Sequence, residues 1–88
     1  MPTISIFFGI VIQMYWKDHN PPHIHALYQG QEGLFSLETG QLIIGKLPRR
    51  AEALSSDCIV EHRSALIDNW QRGRMGVPFE QIPGADER

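Results

Sequence analysis

Apolar residues occupy every even position from Ile4 to Trp16, whereas polar Ser5 and Gln13 lie at odd positions. A period of two is typical of a β-strand that buries one face. Gly9 interrupts the run, and glycine tolerates the backbone angles of a bulge or bend. We therefore interpret this stretch as one extended strand that Gly9 can hinge into two segments.

Three shorter strands are predicted after it, over residues 23–28, 34–38 and 41–44. Each is rich in β-branched, aromatic or aliphatic residues, which pack well on a pleated surface. Glycines in residues 29–33 and 39–40 supply positive φ at low cost. These two segments are therefore predicted to be turns between antiparallel neighbours.

From Pro48 onward the apolar residues recur at steps of three and four, which indicates an amphipathic helix. Pro48 suits a first helical position because its missing N–H would have no partner there. The helix is predicted to stop near Gly73, with Asp68 and Arg72 placed for an i,i+4 ion pair.

Strands followed by a helix predict an α+β fold, in which an antiparallel four-stranded meander packs against one long C-terminal amphipathic helix. Residues 1–83 form the single domain of this prediction, and residues 84–88 are expected to be a disordered tail. One helix covers about one face of such a sheet. We therefore expect a homodimer or a small protein partner to meet the need for further cover.

Composition narrows the classes of function. The 88 residues carry a net charge of −2, which argues against coating nucleic acid or a membrane by bulk charge, although a local basic patch can still contact nucleic acid. Cys58 is the single cysteine and cannot form an internal disulfide. No membrane-length apolar run or basic signal start is present, so we expect a cytoplasmic protein without a membrane partner.

The segment DHNPPHIH holds the candidate metal ligands. His23 and His25 share one side of a strand, about 7 Å apart, so both imidazoles can reach one ion. His19 is the expected third ligand, and Asp18 a fourth ligand or the carboxylate that orients an imidazole. Zinc or another transition metal would suit this set.

An alternative interpretation of the same segment needs no metal. Asp18, His19 and Asn20 can cap a tight turn by hydrogen bonds to the backbone, while the strand histidines stack on neighbouring aromatic rings. Spacing alone leaves the two interpretations open.

A second candidate site is cationic, formed by Lys46, Arg49 and Arg50 at the predicted helix start. Cations oppose the helix dipole there, and free N–H groups with three cations could hold a phosphate or carboxylate. Alternatively, the arginines pair with Glu52 and Glu38 and have only a structural role.

Three other residues carry less chemistry. Cys58 lies on the apolar stripe of the helix and is interpreted as a core residue. His62 is on the same stripe, either as a boundary residue or facing the other imidazoles. Trp16 and Trp70 are interpreted as core or interface anchors rather than base-stacking platforms, because no basic run interleaves them.

The motifs DHNPPHxH and LPRRA, with EHR and a downstream Asn69-Trp70, resemble the small bacterial family catalogued as domain of unknown function 4160. The resemblance implies short cytoplasmic proteins, often encoded beside another small protein in arrangements similar to toxin–antitoxin pairs. The sequence departs from the family pattern at Ile6, where a polar residue is typical, and at Cys58, where an aromatic residue is typical. The characteristic positions are Asp18, His19, Asn20, Pro21, Pro22, His23, His25, Pro48, Arg49, Arg50, His62, Arg63 and Trp70.

Our leading functional prediction is a binding and regulatory component of a two-gene, toxin–antitoxin-like module. It would contact a protein partner or nucleic acid through one surface that joins the histidine turn to the arginines at the helix start. The predicted binding residues are Lys46, Arg49, Arg50, Asp18, Asn20, His62 and Arg63. The alternative is a metal-dependent hydrolase or ribonuclease, in which the histidines hold the metal and the arginines clamp a phosphate.

Overall fold

The computed structural model describes residues 2–84, and within them the chain forms five strands followed by one helix. The strands form an antiparallel meander in the order β1-β2-β3-β4-β5, so the α+β class with a C-terminal helix is confirmed. The elements are β1 Thr3–Phe7, β2 Ile10–Gln13, β3 His23–Tyr28, β4 Gln31–Ser36, β5 Leu42–Gly45 and α1 Arg49–Met75.

The additional strand arises at Gly9, where the expected hinge is a complete hairpin turn. Phe8 and Gly9 both have positive φ, 50° and 79°, and this two-residue loop returns β2 along β1. Phenylalanine rarely adopts such a φ. The sequence therefore carries only half of the usual signature of a tight hairpin, and the count of four strands was one too low.

A bulge between Thr3 and Ser5 shifts the alternation in β1. Because the bulge adds one residue, the side chains beyond it exchange faces. Phe7 is consequently buried, whereas Ile6 is 56% exposed on the opposite face. The uniform even-position pattern was thus misleading at the start of the chain.

The hairpin between β3 and β4 is tighter than the sequence indicated. Gln29 and Gly30 alone form the turn, both with positive φ, so β4 begins at Gln31 and ends at Ser36. In β3, Ile24 and Ala26 are fully buried, as their alternation predicts.

Helix α1 covers the face of the sheet that carries these buried residues, and together they form the hydrophobic core. Pro48 precedes the helix. The last helical residue is Met75, two residues later than expected, and Gly76 caps the helix in the left-handed conformation. The predicted ion pair forms, with Arg72 Nε 3.0 Å from Asp68 Oδ2. Core residues of the helix include Ala51, Cys58, Ile59, Leu66 and Trp70.

The helix bends at His62, which has non-helical φ and ψ of −114° and 24°. The next residue, Arg63, donates a hydrogen bond from Nε to the Leu37 carbonyl, at 3.0 Å. Both residues were predicted to bind a partner. In the structure, Arg63 connects the helix to the segment that follows β4.

After the helix, the chain runs back along the sheet. The Asn69 side chain is fully buried and exchanges two hydrogen bonds with the backbone of Glu80, and the Ile82 N–H donates to the Ile4 carbonyl of β1. Of the tail predicted at residues 84–88, Gly84 is described and residues 85–88 lie outside the described part of the chain.

On the face of the sheet opposite the helix, the loop between β2 and β3 lies over the start of β3, and apolar side chains elsewhere on this face stay exposed. Two of its isoleucines are more than half exposed, Ile6 at 56% and Ile44 at 62%, with half-buried Val11, Leu27 and Leu34 between them. We call this surface the open face. Within residues 2–84, the helix is not apolar enough to cross a bilayer.

Substitution of Gly45 by alanine should destabilise the fold far more than the same change at Gly30. Both glycines have positive φ, but a Cβ at Gly45 would collide with the backbone oxygen of Glu32, whereas Gly30 has no neighbour within 4 Å. We expect about 1 kcal/mol for Gly30→Ala, from backbone strain alone, and about 3 kcal/mol for Gly45→Ala. Urea unfolding of both variants measures the difference; equal losses would contradict this packing.

Candidate metal centre

The loop between β2 and β3 carries the polar cluster. Lys17 adopts positive φ, 56°, and its N–H donates to the carbonyl of Gly73 near the end of the helix, at 3.0 Å. The reversal brings Asp18 back against the start of β3, and a cis bond joins Asn20 to Pro21. Glycine ordinarily occupies a position with the φ of Lys17, so a turn was expected in this segment but not a reversal at Lys17 itself.

Three ligand-type side chains converge beneath the loop. Asp18 Oδ2 lies 2.9 Å from His23 Nε2 and 3.6 Å from His25 Nε2, and one ligand atom from each residue lies within 4.8 Å of the others. Their side chains are only 14%, 7% and 12% exposed. We call Asp18, His23 and His25 the triad.

Both imidazoles are oriented by acceptors on their other nitrogen. His23 Nδ1 lies 2.8 Å from the Pro21 carbonyl, and His25 Nδ1 lies 2.8 Å from Glu32 Oε2. A carbonyl or a carboxylate accepts hydrogen bonds, so each Nδ1 carries the proton. In the neutral rings, both Nε2 atoms therefore present lone pairs toward Asp18.

This arrangement requires positive charge at its centre. Two nitrogen lone pairs and a carboxylate repel one another unless a proton or a metal ion lies between them. His25 Nε2 is buried and has no hydrogen-bond partner among the described residues, since 3.6 Å from Asp18 is too long for one. The geometry is that of ligands oriented around a cation.

The carboxylate of Asp18 is poised to carry negative charge. Burial opposes its ionisation, but the backbone N–H of His19 and the positive charge of a protonated imidazole at His23 outweigh burial, so the pKa of Asp18 lies below its usual value. An ionised carboxylate is the form that binds a metal.

A cavity of about 410 Å³ opens in front of the triad on the open face. Tyr15 packs its ring edge against His25, at 4.4 Å between centroids. Leu34 and Ile44 form an apolar wall of the cavity. Burial, followed by the charges of Glu32 and Asp18, raises the pKa of the Tyr15 phenol, which therefore stays neutral near pH 7.

The remaining side of the triad is formed by the helix. The ring of His23 lies 5.3 Å from the indole of Trp70 and 5.2 Å from the ring of His25, measured between centroids. Both strand histidines thus contact an aromatic ring as well as Asp18: His25 meets the edge of Tyr15, and His23 packs at an angle against Trp70. Trp70 is buried, as predicted.

Two residues predicted for this site lie at its rim. The His19 side chain is 95% exposed and only approaches Asp18, at 3.9 Å. Asn20 is exposed beside it. His19 was the expected third ligand, but the loop directs it to solvent, and Asp18 takes its place in the cluster.

Of the predicted cations, Arg50 at the helix start lies far from the triad. Arg50 lines a groove with Phe8 and Tyr28, at the opposite end of β3 from His23. Tyr28 is five steps along the strand from His23, so their Cα atoms are about 17 Å apart. Since the helix starts at one end of the sheet and reaches His23 only near its last turns, the single surface expected to join the two groups is not formed.

Lys46 and Arg49 are exposed at that same end of the helix. The Lys46 N–H donates to the Glu32 carbonyl. Within residues 2–84, neither arginine forms the ion pair with Glu52 or Glu38 that the sequence left open as an alternative. Glu32 also contacts His25, so Lys46 lies closer to the triad than the arginines do. All three cations remain predicted binding residues.

Different cations flank the histidine loop, namely Lys17 and Arg74. They line a groove of about 380 Å³ together with Asp18, His19 and Asn20. Sequence reasoning missed Arg74 because 56 positions separate it from Asp18 and no motif joins them; only the contact between Lys17 and Gly73 brings them together.

The profile of a family described as "Domain of unknown function (DUF4160)" matches residues 9–71, most of the chain. The chain belongs to the DUF4160 family. The matched residues include the whole triad and the helix start, whereas Arg74 lies beyond them. No curated protein and no solved structure matches this DUF4160 domain.

The cysteine of this DUF4160 domain should be unreactive in the folded state. Cys58 is buried on the helix, and burial, with the charge of Glu61, raises the pKa of its thiol to about 11. At pH 8 about one thiol in a thousand would be ionised. Reaction with a disulfide reagent at pH 8 should be slow in native protein and complete within minutes in guanidinium; rapid native reaction would contradict the burial.

Proposed function

We propose that this protein is a metal-dependent hydrolase whose ion is held by Asp18 Oδ2, His23 Nε2 and His25 Nε2. The observation that supports the proposal is the orientation of both imidazoles. Each has its Nδ1 proton engaged by an acceptor, which leaves the two Nε2 lone pairs directed at a buried carboxylate.

The spacing of the triad supports a transition metal. Ligands about 2.1 Å from a tetrahedral ion are about 3.4 Å apart, close to the 2.9 Å and 3.6 Å between Asp18 and the histidines. Imidazole with carboxylate suits zinc and iron. Contacts to Pro21 and Glu32 fix the rings, as surrounding groups do in metal centres.

Hydrolysis is the reaction class that needs least beyond this site. Three protein ligands leave a position for water, and a zinc-type ion lowers the pKa of bound water to about 7. The resulting hydroxide adds to an electrophilic centre, the bond to the leaving group breaks, and the leaving group takes up the proton. Water is the sole co-reactant, and the 410 Å³ cavity admits substrate to the triad.

Purified, untagged protein should bind about one equivalent of zinc or cobalt. Asp18→Asn, His23→Gln and His25→Gln should each weaken metal binding at least tenfold, in the range expected when a ligand set is disturbed. His19→Gln is the matched control from the same loop and should bind normally. Elemental mass spectrometry gives the metal content, and the visible absorption of the cobalt form reports nitrogen and oxygen ligation.

Failure of this prediction has a clear form. Less than about a tenth of an equivalent bound after incubation with zinc would leave the triad as a protonated histidine–carboxylate cluster. Equal loss in His19→Gln would move the ligand role to the exposed histidine. Circular dichroism of each variant separates loss of metal from loss of fold.

A second candidate function is the binding and regulatory component of a two-gene, toxin–antitoxin-like module. The open face supports it, because exposed Ile6 and Ile44 flank half-buried aliphatic residues on the part of the sheet that the histidine loop leaves exposed. Apolar patches of this kind are typical of protein interfaces. The candidate partners are a second copy of the chain and the small protein encoded beside it.

Ile44→Lys should abolish that association, whereas Val60→Lys should not. Both residues are about equally exposed, at 62% and 63%, but Val60 lies on the helix. We expect sedimentation velocity to detect a dimer, or a complex with the neighbouring gene product, that Ile44→Lys weakens at least tenfold by burying an unpaired charge. A monomer at 100 micromolar that also ignores the neighbouring protein would remove this candidate.

A further inference from the structure

The surface where β2 and the end of the helix meet carries an exposed indole. Trp16 is 48% exposed, and its ring is stacked on Phe79, with 5.3 Å between centroids and 14° between planes. Its Nε1 donates to the Val77 carbonyl, at 3.2 Å. The indole is therefore held in place by Phe79 and Val77 and remains half exposed. Of the two predicted roles, core or interface anchor, this exposure excludes the core.

Two cations accompany this ring. Lys17 follows Trp16 directly, and Arg74 is joined to it through the hydrogen bond between the Lys17 N–H and the Gly73 carbonyl. Both line the groove that also contains Asp18. We call Trp16, Lys17 and Arg74 the cationic platform.

The charges of the cationic platform are available to a ligand. Neither Lys17 nor Arg74 forms an ion pair within residues 2–84, whereas neighbouring Arg72 contacts both Asp68 and Glu80. Two carbonyls of the last helical turn are also occupied: Gly73 accepts from the Gly76 N–H, and Arg72 accepts from the Val77 N–H. No described carboxylate other than Asp18 lines the groove, and Asp18 is directed toward the triad.

We propose that the cationic platform binds single-stranded nucleic acid, with a base stacked on Trp16 and backbone phosphates on Lys17 and Arg74. The groove shares Asp18 with the triad, so a phosphodiester held there lies beside the metal centre. This inference names the substrate class of the proposed hydrolase and rests on it for cleavage alone; binding depends only on the platform.

Single-stranded nucleic acid fits better than a duplex or an acidic protein. An open aromatic face beside cations is the arrangement that binds unpaired bases, and a base in a duplex has no free face to offer. With a net charge of −2, the chain also has little bulk positive charge with which to follow a duplex backbone. Binding should therefore be local, short in site size and salt-dependent.

The test uses metal-free protein in EDTA and a fluorescently labelled eight-nucleotide oligo(dT) or oligo(U), with binding followed by anisotropy at 20 millimolar salt. Trp16→Leu should weaken binding about tenfold, the usual effect of losing one stacking platform, and Trp16→Phe should retain most of it. Lys17→Asn with Arg74→Gln should also reduce the salt slope by about 1.4, since each lost phosphate contact removes about 0.7.

Controls separate this proposal from its alternatives. Arg72→Gln removes a neighbouring positive charge that is already paired with Asp68 and Glu80, and it should leave affinity within twofold. Asparagine at position 17 tolerates the positive φ of Lys17, so the fold should persist, which thermal unfolding checks.

His23→Gln should bind the oligonucleotide like the parent but fail to cleave it when zinc is added, so that failure of the metal centre and failure of the platform are distinguishable. No anisotropy change at 20 millimolar salt would overturn the inference. Equal weakening by Arg72→Gln, equal affinity for a duplex, or binding of a protein partner alone would also overturn it.

Discussion

One backbone hydrogen bond, from Lys17 to the Gly73 carbonyl, determines how the chemistry-bearing parts of this protein meet. It fixes the loop after β2 against the last turns of the helix, so Asp18 falls over the histidines of β3 instead of pointing away from the sheet. The same bond brings the cations of loop and helix to one groove. Triad and cationic platform therefore both depend on the helix keeping its full length.

The sheet divides the molecule into two unequal surfaces. One face is filled by the helix and by a returning tail tied to Asn69, and it holds the core. The open face holds the cavity before the triad, with Ile44 among its apolar walls. A partner on that face and a substrate at the triad would consequently compete for space, which links the two candidate functions physically.

Regular periodicity made much of this predictable, and irregular backbone accounts for the rest. Alternation placed His23 and His25 on one side of a strand, and the three-to-four spacing gave the helix with Cys58 and Trp70 inside. Periodicity could not reveal the turn at Phe8 or the reversal at Lys17, because both residues adopt a positive φ that their side chains disfavour. Because of the reversal at Lys17, Asp18 occupies the place in the cluster that was expected for His19.

The contact between the rings of His23 and Trp70 has an optical consequence. Indole emission responds to the charge and electron demand of a ring only 5.3 Å away. Any change in what His23 Nε2 holds, whether a proton or an ion, must therefore alter the colour or yield of light from a residue buried on the helix. The intrinsic fluorescence of Trp70 therefore reports on His23 Nε2 without an added label.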